Sequence, residues 1–322
     1  MPLISKSSYK RRPPYLFNPH LETVVPSAFR KVRGVTYDRE RVELEDGDFL
    51  DVDWLTGGSD KLVVLTHGLE GSSDRPYIAG MAKYFAANGW DALAWNCRTC
   101  GGEMNRLPRL YHHGATEDLS AVVEHGLKSG RYRKIALVGF SMGGSMSLKY
   151  LGERGSQVRE EIIGAATFSV PCNLWDSAVQ LTRRSNKFYK DRFLNKLKEK
   201  MKVKALRHPE VVNATDIDLI TTFDEFDDRY TAPLHGFSSR DDFYLKATSD
   251  QFYPELKRPA LVANALNDPM LGDKCYPYEM ARESSYLYLE TPKVGGHVGF
   301  TQTGAEIYWA EMRALEFLEA IS

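Results

Sequence analysis

The chain has 322 residues, 43% of them hydrophobic and 26% charged, which is enough for one large α/β domain or two modest ones with a sizeable core. Its formal net charge of -1 at pH 7 gives no global field that attracts nucleic acid, and we expect no nucleic-acid partner. Four cysteines are too few and too scattered for a disulfide framework, and no apolar stretch follows the charged N-terminus, so we expect a soluble cytoplasmic protein without a signal peptide or a membrane-spanning helix.

Strand and helix signals alternate in the first half of the chain. Two stretches of alternating apolar residues, joined by a turn at Asp46-Gly47, predict a hairpin. Strands are predicted at 41–44, 49–54, 62–66, 92–95, 135–138 and 162–170, and helices at 77–88, 116–128 and 145–151. The last of these strands stops before Pro171, which cannot continue a strand ladder.

The alternation breaks after Pro171. Residues 172–240 carry no strand signal, and we predict that they form a helical cap inserted into a core made of residues 1–171 and 241–322. The predicted cap has a basic block at 183–207 and an acidic block at 216–242. Strands then return at 260–264 and 285–290, and helices at 275–283 and 306–321.

Strands separated by helix-length segments predict an α/β fold, with a mostly parallel central sheet and helices on both faces. Sheets of this kind hold their ligand sites in loops beyond the carboxyl ends of the strands. Chemically active residues are therefore expected directly after predicted strands.

The segment Gly139-Phe140-Ser141-Met142-Gly143-Gly144 lies between a predicted buried strand and a predicted helix. In that setting a G-x-S-x-G serine becomes an exposed nucleophile on a sharp turn. We expect strained backbone at Ser141, and we expect a side chain at Gly139 or Gly143 to collide with neighbouring elements. An ordinary strand-to-helix turn with an incidental serine is the alternative.

A serine nucleophile needs a base, and the base needs an orienting carboxylate. Asp268 directly follows the predicted strand at 260–264, and His297 follows the predicted strand at 285–290 after two glycines. The order Ser, Asp, His is typical of a nucleophile on a strand-to-helix turn. Taken alone, each residue also suits an ordinary turn or loop, but with Ser141 they predict a catalytic triad.

The oxyanion formed during ester cleavage needs preorganised donors. One predicted donor is the backbone N–H of Met142, the residue after the nucleophile. The other is the backbone N–H of Leu69, in the loop His67-Gly68-Leu69 that follows the predicted strand at 62–66. His67 itself is expected to hold this loop by hydrogen bonding rather than to act as a base.

These motifs together resemble the α/β-hydrolase superfamily. The segments that carry the resemblance are His67-Gly68, Gly139–Gly144, Asn267-Asp268-Pro269 and Gly296-His297. Three further segments resemble the YheT/EMB8 branch, which is related to the animal ABHD1/2/3 group: His20–Val24, Asn96–Gly102 and Tyr111–Gly114. The likeness extends from about His20 to Phe300 and implies an α/β-hydrolase fold that hydrolyses carboxylic esters, with medium-chain or phospholipid esters as substrates.

The chain departs from the branch pattern at three positions. Cys97 and Thr99 stand where the branch has Phe and Gly, and Glu22 stands where it has Gln. None of the three belongs to the predicted triad. We expect these departures to alter only the rim of the site.

Other features suggest other functions less specifically. Cys97 and Cys100 have the spacing of a redox or metal motif, and His112-His113 is a potential ligand pair, but no further ligands complete a metal site, so we expect neither a metal nor a cofactor. The basic block at 183–207 suits either a solvated helix face or peripheral contact with anionic lipid.

The leading hypothesis is a serine hydrolase acting on small-molecule or lipid esters. In this hypothesis the cap covers the site, with an apolar inner wall formed by Leu174, Trp175, Val179 and Phe188. Two alternatives stay open: an acyltransferase that uses the same triad with an alcohol as acceptor, and a non-catalytic binding protein on the same fold.

Overall fold

The protein is described by a computed structural model, which covers residues 3–10 and 12–322. The strands are β1 (Leu3–Ile4), β2 (Asp38–Glu43), β3 (Phe49–Leu55), β4 (Lys61–Thr66), β5 (Asp91–Asn96), β6 (Lys134–Phe140), β7 (Ile162–Phe168), β8 (Ala260–Ala263) and β9 (Leu287–Glu290). The helices are α1 (Pro19–Phe29), α2 (Pro76–Ala87), α3 (Thr116–Leu127), α4 (Met142–Arg154), α5 (Leu174–Thr182), α6 (Lys187–Arg207), α7 (Phe223–Phe226), α8 (Ala232–Leu234), α9 (Arg240–Ala247), α10 (Tyr278–Glu283) and α11 (Trp309–Ala320).

The strands within this range form one sheet in the order β1-β9-β8-β7-β6-β4-β5-β3-β2. From β1 to β5 all neighbouring strands are parallel, whereas β3 runs antiparallel to both β5 and β2. Alternate residues of β4 pack into two separate apolar clusters: Leu62 and Val64 into one, Val63 and Leu65 into the other. Because apolar clusters cover both faces of the sheet, the central strands consist of continuous apolar runs. The predicted α/β architecture is confirmed.

The described chain between β7 and β8 contains α5 to α9, joined by turns and loops, and no strand. Contacts near α6 tie this segment to loops at the carboxyl edge of the sheet. Asn186 donates to the Pro269 carbonyl oxygen after β8 at 2.6 Å, and Lys204 Nζ donates to the Asn105 carbonyl oxygen after β5 at 2.7 Å. The helices therefore lie over the edge where the active residues were expected. The boundaries of a separate cap at 172 and 240 stay a prediction, and helix continues beyond the second boundary in α9.

Among the helices that differ from the sequence prediction, α1 and α11 have local causes in their capping residues. Helix α1 was not predicted, because Pro19 and Pro26 interrupt the pattern. Pro19 is at the first turn, where proline is well tolerated, and the side chain of Asn18 caps the helix by accepting from the Leu21 N–H at 2.9 Å. Helix α11 begins at Trp309 rather than at residue 306, and Glu311 turns back to accept from the Tyr308 N–H at 2.9 Å.

The loop after β5 contains a buried ion-pair centre. The guanidinium of Arg98 contacts Asp48 at 2.9 Å and Asp118 at 2.7 Å, and all three side chains are almost fully buried. This centre joins the β2–β3 turn to α3. The next residue, Thr99, has a backbone φ of 71°, which is unfavourable for a β-branched side chain. Its buried hydroxyl also has no hydrogen-bond partner among the described residues.

None of the helices in the described part of the chain combines the length and hydrophobicity needed to cross a bilayer.

We predict that Thr99→Gly raises the free energy of unfolding by about 1 kcal/mol. Glycine removes the left-handed backbone strain of about 1–2 kcal/mol and the unsatisfied hydroxyl, and these gains exceed the extra entropy that glycine adds to the unfolded chain. Urea unfolding monitored by circular dichroism measures the change. Thr99→Ala is the matched variant, because it removes the hydroxyl but keeps the strain, and its gain should be smaller. A Gly variant less stable than the parent protein would contradict this account.

Candidate active site

Ser141 lies between β6 and α4, on the sharp turn that the motif predicts. Its backbone has φ 52° and ψ -122°, and its N–H donates to the Phe168 carbonyl oxygen at 2.9 Å. A Cβ atom on Gly139 would overlap the backbone of Gly143, and a Cβ atom on Gly143 would overlap the Thr66 carbonyl oxygen. The two glycines are therefore needed for close approach of neighbouring elements, as expected. The strained serine is typical of a functional site.

The structure brings Ser141, His297 and Asp268 together. Ser141 Oγ lies 2.9 Å from His297 Nε2, and His297 Nδ1 lies 2.8 Å from Asp268 Oδ2 and 3.1 Å from Oδ1. The carboxylate can only accept, so Nδ1 carries a proton and Nε2 is free to accept the serine proton. The arrangement can therefore transfer a proton from Ser141 to His297 while the carboxylate orients the ring.

Backbone contacts fix the two partners of Ser141. The side chain of Asp268 is fully buried, and its Oδ1 also accepts from the Met270 N–H at 2.9 Å. The His297 N–H donates to Thr23 Oγ1 at 2.9 Å, and the next N–H, that of Val298, donates to Ser169 Oγ at 2.8 Å. The imidazole thus has little freedom to rotate away from the serine.

Sequence reasoning missed the residue that joins the two loops. Glu22 on α1 is 1% exposed, and its Oε2 accepts from the Gly295 N–H at 2.5 Å and from Asn267 Nδ2 at 3.2 Å. Asn267 in turn accepts from the Gly296 N–H at 3.1 Å, and Arg12 forms an ion pair with Glu22. The loop carrying Asp268 and the loop carrying His297 are therefore held by one buried carboxylate.

This placement corrects the expectation that the departures from the branch pattern alter only the rim. Glu22 and Cys97 are each 1% exposed, and neither they nor Thr99 line a cavity beside Ser141. Glu22 instead accepts hydrogen bonds from the loops that carry the candidate residues Asp268 and His297. The helix-start signal at Asn18-Pro19 could have indicated helix α1, but no local signal indicates the contacts that Glu22 makes.

We predict that Glu22→Ala lowers kcat/KM about 100-fold, because the histidine loop loses its anchor and small displacements of catalytic groups are costly. Activity on a p-nitrophenyl ester, with the melting temperature measured in parallel, tests this. Glu22→Gln is the matched variant, since its amide oxygen still accepts from the Gly295 N–H, and it should keep most of the activity. Equal activity of the Ala and Gln variants would argue against a positioning role.

The two backbone N–H groups predicted as oxyanion donors have no acceptor among the described residues. The N–H groups on either side of Leu69 are occupied: Gly68 donates to Tyr77 Oη at 3.1 Å, and Glu70 donates to Tyr111 Oη at 2.8 Å. The Leu69 N–H has no acceptor among the described residues, and neither has the Met142 N–H at the start of α4. The loop lies against the nucleophile, because a Cβ atom on Gly68 would sit 3.1 Å from Ser141 Cβ. Both groups are thus available to a developing oxyanion.

His67 holds this loop in the manner expected. Its fully buried ring donates from Nδ1 to the Gly68 carbonyl oxygen at 2.7 Å and accepts at Nε2 from the Cys97 N–H at 3.1 Å. Both ring nitrogens are occupied, so His67 cannot serve as a base for Ser141. Cys97 and Cys100 are free thiols, and no group of three or more potential metal ligands occurs in the described residues.

A cavity of about 950 Å³ opens beside Ser141 and His297, and we call it the acyl cavity. Its walls are mainly apolar side chains from the helical segment. Those from α5 and α6 are Leu174, Ala178, Leu181, Phe193, Leu197 and Met201. Spacings of three and four residues place one face of α5 on the cavity.

The predicted inner wall of the cap was only partly right. Leu174 lines the acyl cavity, but Trp175 and Val179 do not, and Val179 is 57% exposed. These two side chains lie on the other face of α5, because the helix presents positions 174, 177, 178 and 181 to the cavity. Phe188 lines a second cavity that also reaches Ser141.

Burial shifts the pKa values of titratable groups that line the acyl cavity toward their neutral forms. Burial lowers the pKa of His113 to about 4, and burial likewise lowers the pKa of His112 well below its usual value. Burial raises the pKa of Asp227 to about 7, where its carboxyl group contacts Tyr244 Oη at 2.9 Å. The two histidines are therefore neutral at neutral pH, which suits an apolar ligand.

The sequence and the fold are similar to those of known proteins. Residues 61–207 match the family model described as alpha/beta hydrolase fold. The chain is 31% identical over 290 residues to YheT of Escherichia coli (strain K12), covering 88% of this chain and 84% of YheT. It is 30% identical over 280 residues to the phospholipase ABHD3 of Mus musculus, covering 83% and 67%. The Pyrococcus furiosus esterase Pf2001 aligns with a TM-score of 0.60 at 18% identity, over 91% of this chain and 96% of that structure.

Proposed function

This chain belongs to the α/β-hydrolase family, in the branch that contains YheT and ABHD3, and we propose that it is a serine hydrolase that cleaves carboxylic esters through Ser141, His297 and Asp268. The observation that carries the proposal is the hydrogen-bonded series from Ser141 Oγ through the imidazole to the Asp268 carboxylate. The name of the relative ABHD3, a phospholipase, supports an ester of lipid type as substrate.

The reaction proceeds in two steps on the same side chains. His297 Nε2 removes the proton from Ser141 as Oγ attacks the ester carbonyl carbon, and Asp268 stabilises the imidazolium that forms. The backbone N–H groups of Met142 and Leu69 hold the oxyanion of the tetrahedral intermediate. His297 then protonates the leaving alcohol, and the acyl group stays on Ser141.

Water completes the cycle. His297 takes a proton from a water molecule that attacks the acyl-enzyme, and a second tetrahedral intermediate collapses to release the carboxylic acid and regenerate Ser141. The acyl chain lies in the apolar cavity under α5 and α6 during both steps. The mainly apolar lining of this cavity suits the hydrocarbon chain of an acyl group.

We predict that Ser141→Ala lowers turnover by at least about 10³-fold, as other triad deletions do. A fluorophosphonate probe should label the parent protein at residue 141 and leave the variant unlabelled, which mass spectrometry of the labelled peptide detects. Ser147→Ala is the control, because its hydroxyl donates to the Gly143 carbonyl oxygen on the same helix and lies outside both cavities. Folded protein that is neither labelled nor active would favour a binding protein without catalysis.

We predict that kcat/KM rises along a series of p-nitrophenyl esters from acetyl to octanoyl, because each methylene buried in the acyl cavity contributes up to about 0.8 kcal/mol. Ala178→Phe fills part of the cavity and should reduce the octanoyl-to-acetyl ratio about tenfold. Val179→Phe adds the same ring on the outer face of α5 and should leave the ratio unchanged. A ratio that is independent of the Ala178 substitution would place the acyl chain elsewhere.

The same acyl-enzyme can be attacked by an alcohol instead of water. Product analysis with and without added alcohol distinguishes the two. Free acid as the main product in both conditions supports hydrolysis, and an ester of the added alcohol as the main product supports acyl transfer.

A further inference from the structure

The loop that carries the predicted oxyanion donor Leu69 contains a strained residue. The Gly71 N–H donates to the Gly68 carbonyl oxygen at 2.9 Å, so residues 68–71 form a hydrogen-bonded turn. Glu70, the third residue of this turn, has a backbone φ of 55°. A positive φ at this position is typical of a type II turn, in which glycine is preferred. A glutamate is unfavourable there, because its Cβ atom crowds the backbone.

The hydroxyl of a buried tyrosine holds Glu70 in this conformation. Tyr111 Oη accepts from the Glu70 N–H at 2.8 Å and donates to the Glu70 carboxylate at 2.7 Å, so it contacts both the backbone and the side chain of one residue. Burial raises the pKa of Tyr111 well above its usual value. The phenol therefore stays protonated and makes both contacts at once.

Two lysines of α6 contribute further contacts to Glu70. Lys200 Nζ lies 2.7 Å from the same carboxylate oxygen that accepts from Tyr111, and it forms an ion pair with this almost fully buried group. Lys196 Nζ donates to the Glu70 carbonyl oxygen at 3.3 Å. Contacts from two other parts of the chain thus stabilise the strained residue. Backbone strain that is maintained by its surroundings is typical of functional sites.

The strained turn lies next to the candidate nucleophile. The Leu69 N–H lies between two N–H groups that tyrosine hydroxyls accept, that of Tyr77 before it at 3.1 Å and that of Tyr111 after it at 2.8 Å. A Cβ atom on Gly68 would lie 3.1 Å from Ser141 Cβ, so the start of the turn is in close contact with the nucleophile. A change in the turn would therefore move the Leu69 backbone relative to Ser141.

We propose that Tyr111 is a positioning residue for ester cleavage, whose hydroxyl keeps the Leu69 N–H directed at the oxyanion by holding the turn at Glu70. This inference rests on the proposed function. Without the hydroxyl, the peptide unit between Leu69 and Glu70 can turn over and give Glu70 a favourable negative φ. The Leu69 backbone then shifts, and one of the two donors is misplaced.

The effect should be confined to the steps in which negative charge develops. An oxyanion forms in acylation and in deacylation but not in the bound ester, so a misplaced donor lowers kcat and leaves KM nearly unchanged. Complete removal of an oxyanion donor typically costs about 10²–10³-fold in kcat, and a misplaced donor keeps part of its effect, so we expect Tyr111→Phe to lower kcat about 30-fold.

The test compares Tyr111→Phe with Tyr132→Phe on p-nitrophenyl octanoate. Tyr132 is also buried, and its hydroxyl donates to Asp91 Oδ2 at 3.0 Å outside both cavities, so its loss should leave kcat unchanged. Equal falls in kcat and kcat/KM for Tyr111→Phe support the proposal. A Tyr111→Phe variant with the kcat of the parent protein, or one in which only KM rises, would overturn it.

A transition-state analogue measures the oxyanion contact directly. With an octyl trifluoromethyl ketone, Ser141 Oγ adds to the carbonyl carbon, the serine proton passes to His297, and the former carbonyl oxygen becomes the oxyanion. Tyr111→Phe should raise the inhibition constant of this ketone by the factor by which it lowers kcat/KM. 1-Octanol has no carbonyl group and should inhibit the parent protein and the variant equally. Equal weakening of both inhibitors would indicate a general loss of structure and contradict the proposal.

Glycine at position 70 provides a rescue experiment. Glycine adopts a positive φ without strain, so the double variant Tyr111→Phe/Glu70→Gly should keep the turn without the hydroxyl and regain at least about threefold in kcat over Tyr111→Phe. A double variant no more active than Tyr111→Phe would show that the hydroxyl does not act through the turn, and the proposal would then be wrong.

Failure of this inference differs from failure of the proposed function. If the parent protein hydrolyses the ester through Ser141 and Tyr111→Phe is equally active, the positioning role is wrong and the hydrolase is not. If the parent protein does not hydrolyse the ester and the fluorophosphonate probe does not label Ser141, the hydrolase assignment itself fails, and this inference fails with it.

Discussion

The hydrogen bond between Ser141 Oγ and His297 Nε2 is the contact on which the candidate site depends, and it joins residues 156 positions apart. Neither partner is positioned by its own loop alone. Ser141 is held in a strained turn that two glycines make possible, and His297 is held by contacts to α1 and to the loop after β7. The sheet brings the ends of its strands to one edge, but buried polar contacts between loops bring the reacting atoms within reach of each other.

The surroundings of this hydrogen bond divide the site into two spaces of different character. One is mainly apolar and lined by neutral histidines, and the other is lined by the cationic side chains of Arg30, Arg75, Arg192 and Lys196 and by Glu70. An ester has the same division when its acyl part is a hydrocarbon chain and its alcohol part is polar. The position of Ser141 where the two spaces meet is thus consistent with a substrate whose two halves differ strongly in polarity.

The sequence predicted the elements whose signal is local. Continuous apolar runs predicted β4, β6 and β7, and the positions of Ser141, Asp268 and His297 after β6, β8 and β9 predicted the candidate triad. The contacts of Glu22 were not accessible in this way, because they join α1 to residues more than 240 positions later. The basic block on α6 also contains residues of different kinds. Lys204 is fully buried there and serves to bind loop carbonyl oxygens, which a count of charges cannot distinguish from a solvated face.

The ion pair between Lys200 and Glu70 has a consequence for the timing of catalysis. Lys200 belongs to α6, which lines both cavities, and Glu70 adjoins Leu69, whose N–H has no acceptor among the described residues. An outward movement of α6 that admits a bulky ester would break this ion pair and free the backbone beside Leu69. An ester that entered in this way would meet the full set of predicted oxyanion donors only after the ion pair had formed again.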